Sequence, residues 1–368
     1  MDNNFYKKKF ITLICILLGI LGVLALIVII VDPYFHYHAP LNGVSFELSE
    51  ERYINDGISR HFDFDGIITG TSMNQNFKTS EAEAYFGGTF VKETYAGASY
   101  RELMEALDKS FDRNEKIDKV IWGMDYSGIR RDSTDMTYAD IPEFMYDNNP
   151  FNDAEYLFNK EIFYKGVIRT LLRSLRHAPS TTFDEYSSWQ RETGFDHIML
   201  EYNRMRTRQL TEEKLVVFDY DEELALAKEN IENNVIPVIE GHPDVEFYLF
   251  FTPYSIIYWD SLYITHTLDI QIDAEKMAAE KLLEYPNVHL FCFYENAELV
   301  NNLSLYNNKE HYNADINSWI LKCMSDGEYE ITKENLDEHI VNTRNYYCTY
   351  DYNAMMNSYG YIPEEIEE

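Results

Sequence analysis

The chain has 368 residues and carries 31 Lys+Arg against 63 Asp+Glu, a formal net charge of −32. Phosphate binding needs a basic surface, so this balance excludes nucleic acid as a partner and favours a well-solvated exterior. The four cysteines (Cys15, Cys292, Cys323 and Cys348) show no CxxC spacing, which argues against a metal site or a disulfide framework. One bridge among the last three stays open.

The first element is the uncharged run Phe10–Val31, "FITLICILLGILGVLALIVIIV". A helix of about 20 apolar residues spans the hydrocarbon core of a bilayer. A cleaved signal peptide would have an apolar core of about 7–15 residues and a small-residue cleavage site. Here the run is longer and is followed by "DPYFHYHAP", so residues 10–31 read as an uncleaved anchor. Lys7, Lys8 and Lys9 precede it, which assigns residues 1–9 to the cytoplasm and the rest to the outside. Residues 32–60 are mixed polar and aromatic and read as a juxtamembrane stalk.

Beyond the stalk come short apolar runs of the kind that form buried strands: Gly66–Thr69, Phe90–Tyr95, Val120–Gly123, Val245–Thr252 and Val288–Phe293. Helical patterns lie between several of them. Ser99–Asn114 puts Leu103, Met104, Leu107 and Phe111 on one face, with Ser99 as N-cap. Asp221–Pro243 is a second helix, kinked or ended by Pro237. Asp273–Pro286 is a third. This alternation predicts an α/β fold, a mostly parallel sheet with helices on both faces, over residues 61–325. Residues 127–220 interrupt it as an aromatic, charged insertion whose clearest helix is "KGVIRTLLRSLRH". Residues 326–368 form an extension without a strong strand signal. The 30 tyrosines suit core and lid packing, or else a glycan-binding surface.

In doubly wound sheets, ligands bind beyond the carboxyl ends of the strands. That rule selects Gly70-Thr71-Ser72, Ala96-Gly97-Ala98, Gly123-Met124-Asp125 and Thr252–Ser255. A serine there needs a base to become a nucleophile. His36, His38 and His61 lie in or just after the stalk, His177 and His197 in the insertion, and His289 inside a strand pattern. His311, in a loop after the last strand and just before a helical run, reaches the same end of the sheet as Ser72.

This order of blocks resembles the SGNH (GDSL-like) hydrolase superfamily. It consists of a Gly-x-Ser after the first strand, a glycine after the second, a Gly-x-[Asn/Asp] after the third, and a histidine loop before the last helix. The resemblance implies a flavodoxin-like three-layer α/β/α sandwich with Ser72 as nucleophile and His311 as base. It places the N–H groups of Ser72 and Gly97 in an oxyanion hole. An anchored SGNH-like domain is also similar to teichoic-acid D-alanylation and alginate-type O-acetylation proteins. That similarity implies a cell-envelope polysaccharide or acyl-donor substrate and a membrane-bound O-acyltransferase partner, with neither cofactor nor metal.

Two positions depart from the family pattern. Asn308 stands three residues before His311, where the family has an acid. Asp125 stands where the family has an asparagine that donates to the oxyanion. Asn74 is an alternative donor, and Asp125 and Asn308 are the candidates for the partner of His311. Three readings follow: a serine esterase or acyltransferase, a non-catalytic accessory protein with the same fold, and a glycan-binding module.

Overall fold

The computed structural model describes residues 3–137, 142–189, 199, 202–203, 206 and 218–360. The elements run α1 (Asn3–Val31), α2 (Glu51–His61), β1 (Gly66–Gly70), α3 (Thr79–Phe86), β2 (Phe90–Thr94), α4 (Tyr100–Arg113), β3 (Lys119–Met124), α5 (Arg169–Leu175), α6 (Tyr220–Asn234), α7 (Ile236–Gly241), β4 (Glu246–Phe251), α8 (Ile256–Ile264), α9 (Leu268–Leu282), β5 (Val288–Cys292), α10 (Ala314–Asp326), β6 (Glu330–Ile331), α11 (Leu336–Thr349) and α12 (Tyr352–Ser358), with short single turns between some of them. They fall into two compact units: Met1–Asp63 with Asp140–Tyr186, and Phe64–Ala139 with Ser187–Glu368.

The first unit begins with α1. Within Asn4–Val31 an 18-residue window reaches a mean hydropathy of 3.5 and is only 6% buried, so the helix is long and apolar enough to cross a membrane. The segment that follows, expected as a stalk, is folded. The Asp32 carboxylate accepts the backbone N–H groups of His36, Tyr37 and His38 and the Tyr156 hydroxyl at 2.8–3.0 Å. Tyr34, Phe35, Leu48, Ile54 and Ile58 are buried. The aromatic residues of 32–60 thus have a core to enter, built with residues about a hundred positions later. Local periodicity cannot report such a partner. The "KGVIRTLLRSLRH" helix appears as a π-helical turn, Ile162–Ile168, running into α5.

The second unit is a mixed α/β structure around one six-stranded sheet of order β2-β1-β3-β4-β5-β6. All neighbours pair in parallel except β5 and β6. Every residue of β1 and β2 is buried, which explains their continuous apolar or tightly paired character. Helix α4 starts at a capping box. The Ser99 hydroxyl accepts the Glu102 N–H at 3.2 Å, and the Glu102 carboxylate accepts the Ser99 N–H at 2.7 Å. Leu103, Leu107 and Phe111 face the core, and Met104 is only half-buried. Ser99→Ala should cost about 1 kcal/mol, read as a lower midpoint in urea unfolding.

Several boundaries differ from the sequence expectation. The insertion 127–220 divides between the units, and much of 190–217, including His197, lies outside the described residues. The helix expected over Asp221–Pro243 breaks at Val235, with Pro237 in the first turn of α7, where its missing N–H is tolerated. Helix α9 begins at Leu268, five residues before the expected start. The extension 326–368 contributes the antiparallel β6 together with α11 and α12, while residues 361–368 lie outside the described residues. A two-residue strand carries no readable periodicity. Cys292, Cys323 and Cys348 are free thiols. Tyr126, Tyr294, Tyr312, Tyr347 and Tyr352 are fully buried, as core packing requires.

Candidate active site

The register of the sheet brings the selected loops to one level. Gly70 lies beside Thr94 on one side and Gly123 on the other, and Gly123 lies beside Phe250. Two residues further on, the four chains reach Ser72, Ala96, Asp125 and Thr252. Gly97 follows in a turn at φ +69° that is closed by the Ala98 N–H donating to the Tyr95 carbonyl at 3.0 Å.

The loop after β1 is shaped by close packing. Gly70 adopts φ +134°, and a Cβ there would lie 2.6 Å from the Asn74 side chain. A Cβ on Gly123 would lie 2.4 Å from the same side chain. Asn74 is fully buried between these glycines and donates its Nδ2–H to the Thr69 carbonyl at 2.5 Å. It braces the loop from below, a different use from the oxyanion contact considered for it. The turn closes with the Asn74 N–H donating to the Thr71 carbonyl, and it presents Ser72 partly exposed.

His311 is brought to this loop by three attachments. Tyr306 and Tyr312 bridge as an antiparallel pair, and the Asn307 N–H donates to the His311 carbonyl at 2.7 Å. From the end of β4, Ser255 donates both its N–H (3.1 Å) and its hydroxyl (2.7 Å) to the Lys309 carbonyl. From α10, Asn317 donates to the Met73 carbonyl at 2.9 Å, tying the helix after His311 to the serine loop. The result is a separation of 2.8 Å between Ser72 Oγ and His311 Nε2.

On the other side of the ring, His311 Nδ1 lies 3.1 Å from Asn308 Oδ1. The same oxygen accepts the backbone N–H groups of Glu310 (2.9 Å) and His311 (2.7 Å). Backbone amides can only donate, so the atom they converge on is the amide oxygen. Nδ1 therefore carries the proton, and the Nε2 lone pair faces the Ser72 hydroxyl. The carboxylate of Asp125, the other candidate partner of His311, is engaged elsewhere. The Thr71 hydroxyl lies 2.9 Å from both of its oxygens.

Burial pushes the Asp125 carboxyl up to about 7, against the lowering effect of the Thr71 hydrogen bond, with Glu310 adding to the rise and Arg131 opposing it. The group is protonated below that pH and ionised above it. Only Thr71 separates it in the chain of contacts from Ser72, so its charge opposes a negative oxygen forming there. If Ser72 reacts, its rate of modification should lose ground as the pH rises through about 7. Asp125→Asn should remove that decline, matching wild type at lower pH and exceeding it increasingly above 7. A pH–rate profile of covalent labelling checks this.

Sequence reasoning missed several residues that build the site. Trp189 donates its indole N–H to the Ser72 carbonyl at 3.1 Å, and its own backbone N–H to Asn76 at 2.9 Å. Its ring stands edge-on to His311 at 5.2 Å. Asn317, on α10, acts through the contact to Met73, and nothing in its local sequence announces it. Thr71 and Ser255 lie in strand-end loops that the sequence selects, but their individual contacts are not readable there.

A second cluster lies deeper in the same unit. Glu275, Cys292 and His339 are buried and place ligand-type atoms within 4.8 Å of one another. By atom type they could hold a divalent cation. Both imidazole nitrogens are, however, matched to carboxylates, Nε2 to Glu275 at 2.8 Å and Nδ1 to Glu295 at 2.6 Å. Tyr126 donates to the remaining Glu275 oxygen at 2.9 Å. The cluster is thus satisfied as an ion-paired network.

No protein-family model matches this chain, and neither the curated proteins nor the solved structures provide a similar one.

Proposed function

We propose that the chain is a membrane-anchored SGNH-like serine esterase or acyltransferase working outside the cytoplasm on cell-envelope polysaccharide or its acyl donor. The observation that carries this reading is the contact between Ser72 Oγ and His311 Nε2 at 2.8 Å, with the tautomer set by Asn308. In this reading Ser72 Oγ attacks an ester carbonyl while Nε2 takes its proton. The amides of Ser72 and Gly97 hold the oxyanion. The tetrahedral adduct collapses, and Nε2–H passes the proton to the departing alkoxide, leaving an acyl-serine. Water or an acceptor hydroxyl, deprotonated by Nε2, then attacks the acyl-serine and restores the free serine.

A parallel order of β2-β1-β3-β4-β5 supports a flavodoxin-like three-layer reading of the sheet unit. Helix α1 supports the anchor, and Lys7, Lys8 and Lys9 support an inside N-terminus. An acyl-transfer role would pair the chain with a membrane-bound O-acyltransferase.

Asn308 and Asp125 favour a second reading, an accessory or glycan-binding protein that keeps the fold without the chemistry. A fluorophosphonate probe separates the two. The enzyme reading expects wild type to be labelled and Ser72→Ala not to be. Absence of labelling in wild type, or equal labelling of both, would overturn it.

A further inference from the structure

The first unit contains a helical segment, 162–176, with three distinct faces. Ile162, Gly166, Val167 and Thr170 are buried. At helical spacing beside them, Tyr164, Leu171, Leu172 and Leu175 are exposed, by 67%, 43%, 45% and 77% respectively. Lys165, Arg169, Arg173 and Arg176 form the third face, and "IFYKGVIRTLLRSLRH" contains no acidic residue in a chain of net charge −32. Lys165 pairs with Glu161 at 3.1 Å, both exposed, and Arg169, itself exposed, pairs with the mostly enclosed Glu47 at 2.5 Å. An apolar stripe flanked by basic residues is the pattern of a helix lying in the plane of a membrane surface.

Its place in the unit names the occupant. The π-helical turn contacts α1, and a Cβ on Gly166 would lie 2.6 Å from Pro33. Pro33 is two residues past Val31, where the apolar run ends, so the segment crosses the spanning helix at its membrane-water boundary. Phe158, half exposed, lies just before it.

We propose that residues 158–176 rest on the bilayer surface, with Tyr164, Leu171, Leu172 and Leu175 at the headgroup–acyl boundary and the basic face on anionic lipid phosphates. The proposal depends on reading α1 as a membrane anchor. It gives the first unit a function, that of fixing its own orientation on the membrane as well as tethering the chain.

The test uses the full chain in nanodiscs of phosphatidylcholine, with and without phosphatidylglycerol. A spin label is placed at Leu175→Cys in a background of Cys15→Ser and Cys348→Ser. A label at Tyr85→Cys serves as the aqueous control, and native Cys15, with Cys348→Ser, reports on the anchor. The oxygen-to-nickel-chelate accessibility ratio at 175 should exceed that at 85 several-fold and rise further with phosphatidylglycerol. Arg169→Gln with Arg173→Gln and Arg176→Gln should remove the added rise. If Cys15 reads as lipid-embedded while 175 matches 85 in both lipids, the surface helix is overturned and the anchor stands. If Cys15 reads as aqueous, the anchor reading fails and the proposal with it. Lipid-independent spin–spin broadening at 175 would indicate contact between copies of the chain and would also overturn it.

Discussion

On the proposed serine-enzyme reading, replacing His311 by alanine should slow fluorophosphonate labelling of Ser72 by on the order of 10⁴-fold or more, because the base of a serine nucleophile acts as a unit with it. His311 is partly exposed, so thermal unfolding of the variant should stay close to wild type. The Asn308 variants sharpen the same test. An asparagine in place of the acid is damaging when its amide N–H turns toward the imidazole and selects the wrong tautomer. Here two backbone N–H groups hold the amide oxygen toward Nδ1, so the tautomer is correct and only the charge is missing. Asn308→Asp should therefore raise the labelling rate by roughly tenfold, for the extra ~1–1.5 kcal/mol of a hydrogen bond to a charged group over a neutral one. Asn308→Leu removes the acceptor from Nδ1 and from both backbone amides, and it should approach the His311→Ala rate. Equal rates for all three side chains at position 308 would show that His311 does not act through it.

His339→Ala should destabilise the chain by about 3–5 kcal/mol, the cost of leaving buried carboxylate charge uncompensated. Glu275 and His339 are almost completely enclosed and face each other at 2.8 Å. Chemical denaturation should show the loss, and adding Glu275→Gln to His339→Ala should restore part of it by removing the stranded charge. The pH dependence has a defined sign. Burial acts to lower the His339 pKa, but Cys292 and Glu275 raise it, and the net direction is well upward. A group whose folded pKa is raised adds its full stabilisation below the unfolded value of about 6.5. That contribution declines as the pH rises above 6.5 and is gone only once the pH passes the raised folded value. Between pH 7 and 9, wild type should lose stability relative to His339→Ala, and the two curves should converge in strong alkali.

Residues differed in how far sequence could place them. Ser99 was legible as an N-cap because its partner, Glu102, is three residues away and the interaction is local. Four of the five long strands were legible as short, mainly apolar runs, and β2 was legible from Phe90 and Val91 although Lys92 and Glu93 interrupt it. The stalk was misread because Tyr34, Phe35 and Ile54 are buried within a unit completed by residues 140–186. Strand β6 has two residues, too few for any period. Trp189 meets Ser72 across 117 positions, and no feature of its neighbours announces that contact.

The apolar span of α1, the alternation of strands with helices, and the set of loops that must share one end of a parallel sheet are all readable from the amino-acid order. These follow from hydropathy and spacing, which act over a few residues. Which atoms meet there depends on the folded chain. It put His311 Nε2 against Ser72, gave Nδ1 to Asn308 rather than Asp125, and engaged Asp125 with Thr71. The reason is range: a hydrogen bond is made or lost within a fraction of an ångström. That precision comes from distant anchors, Ser255 on Lys309 and Asn317 on Met73, which no local pattern encodes.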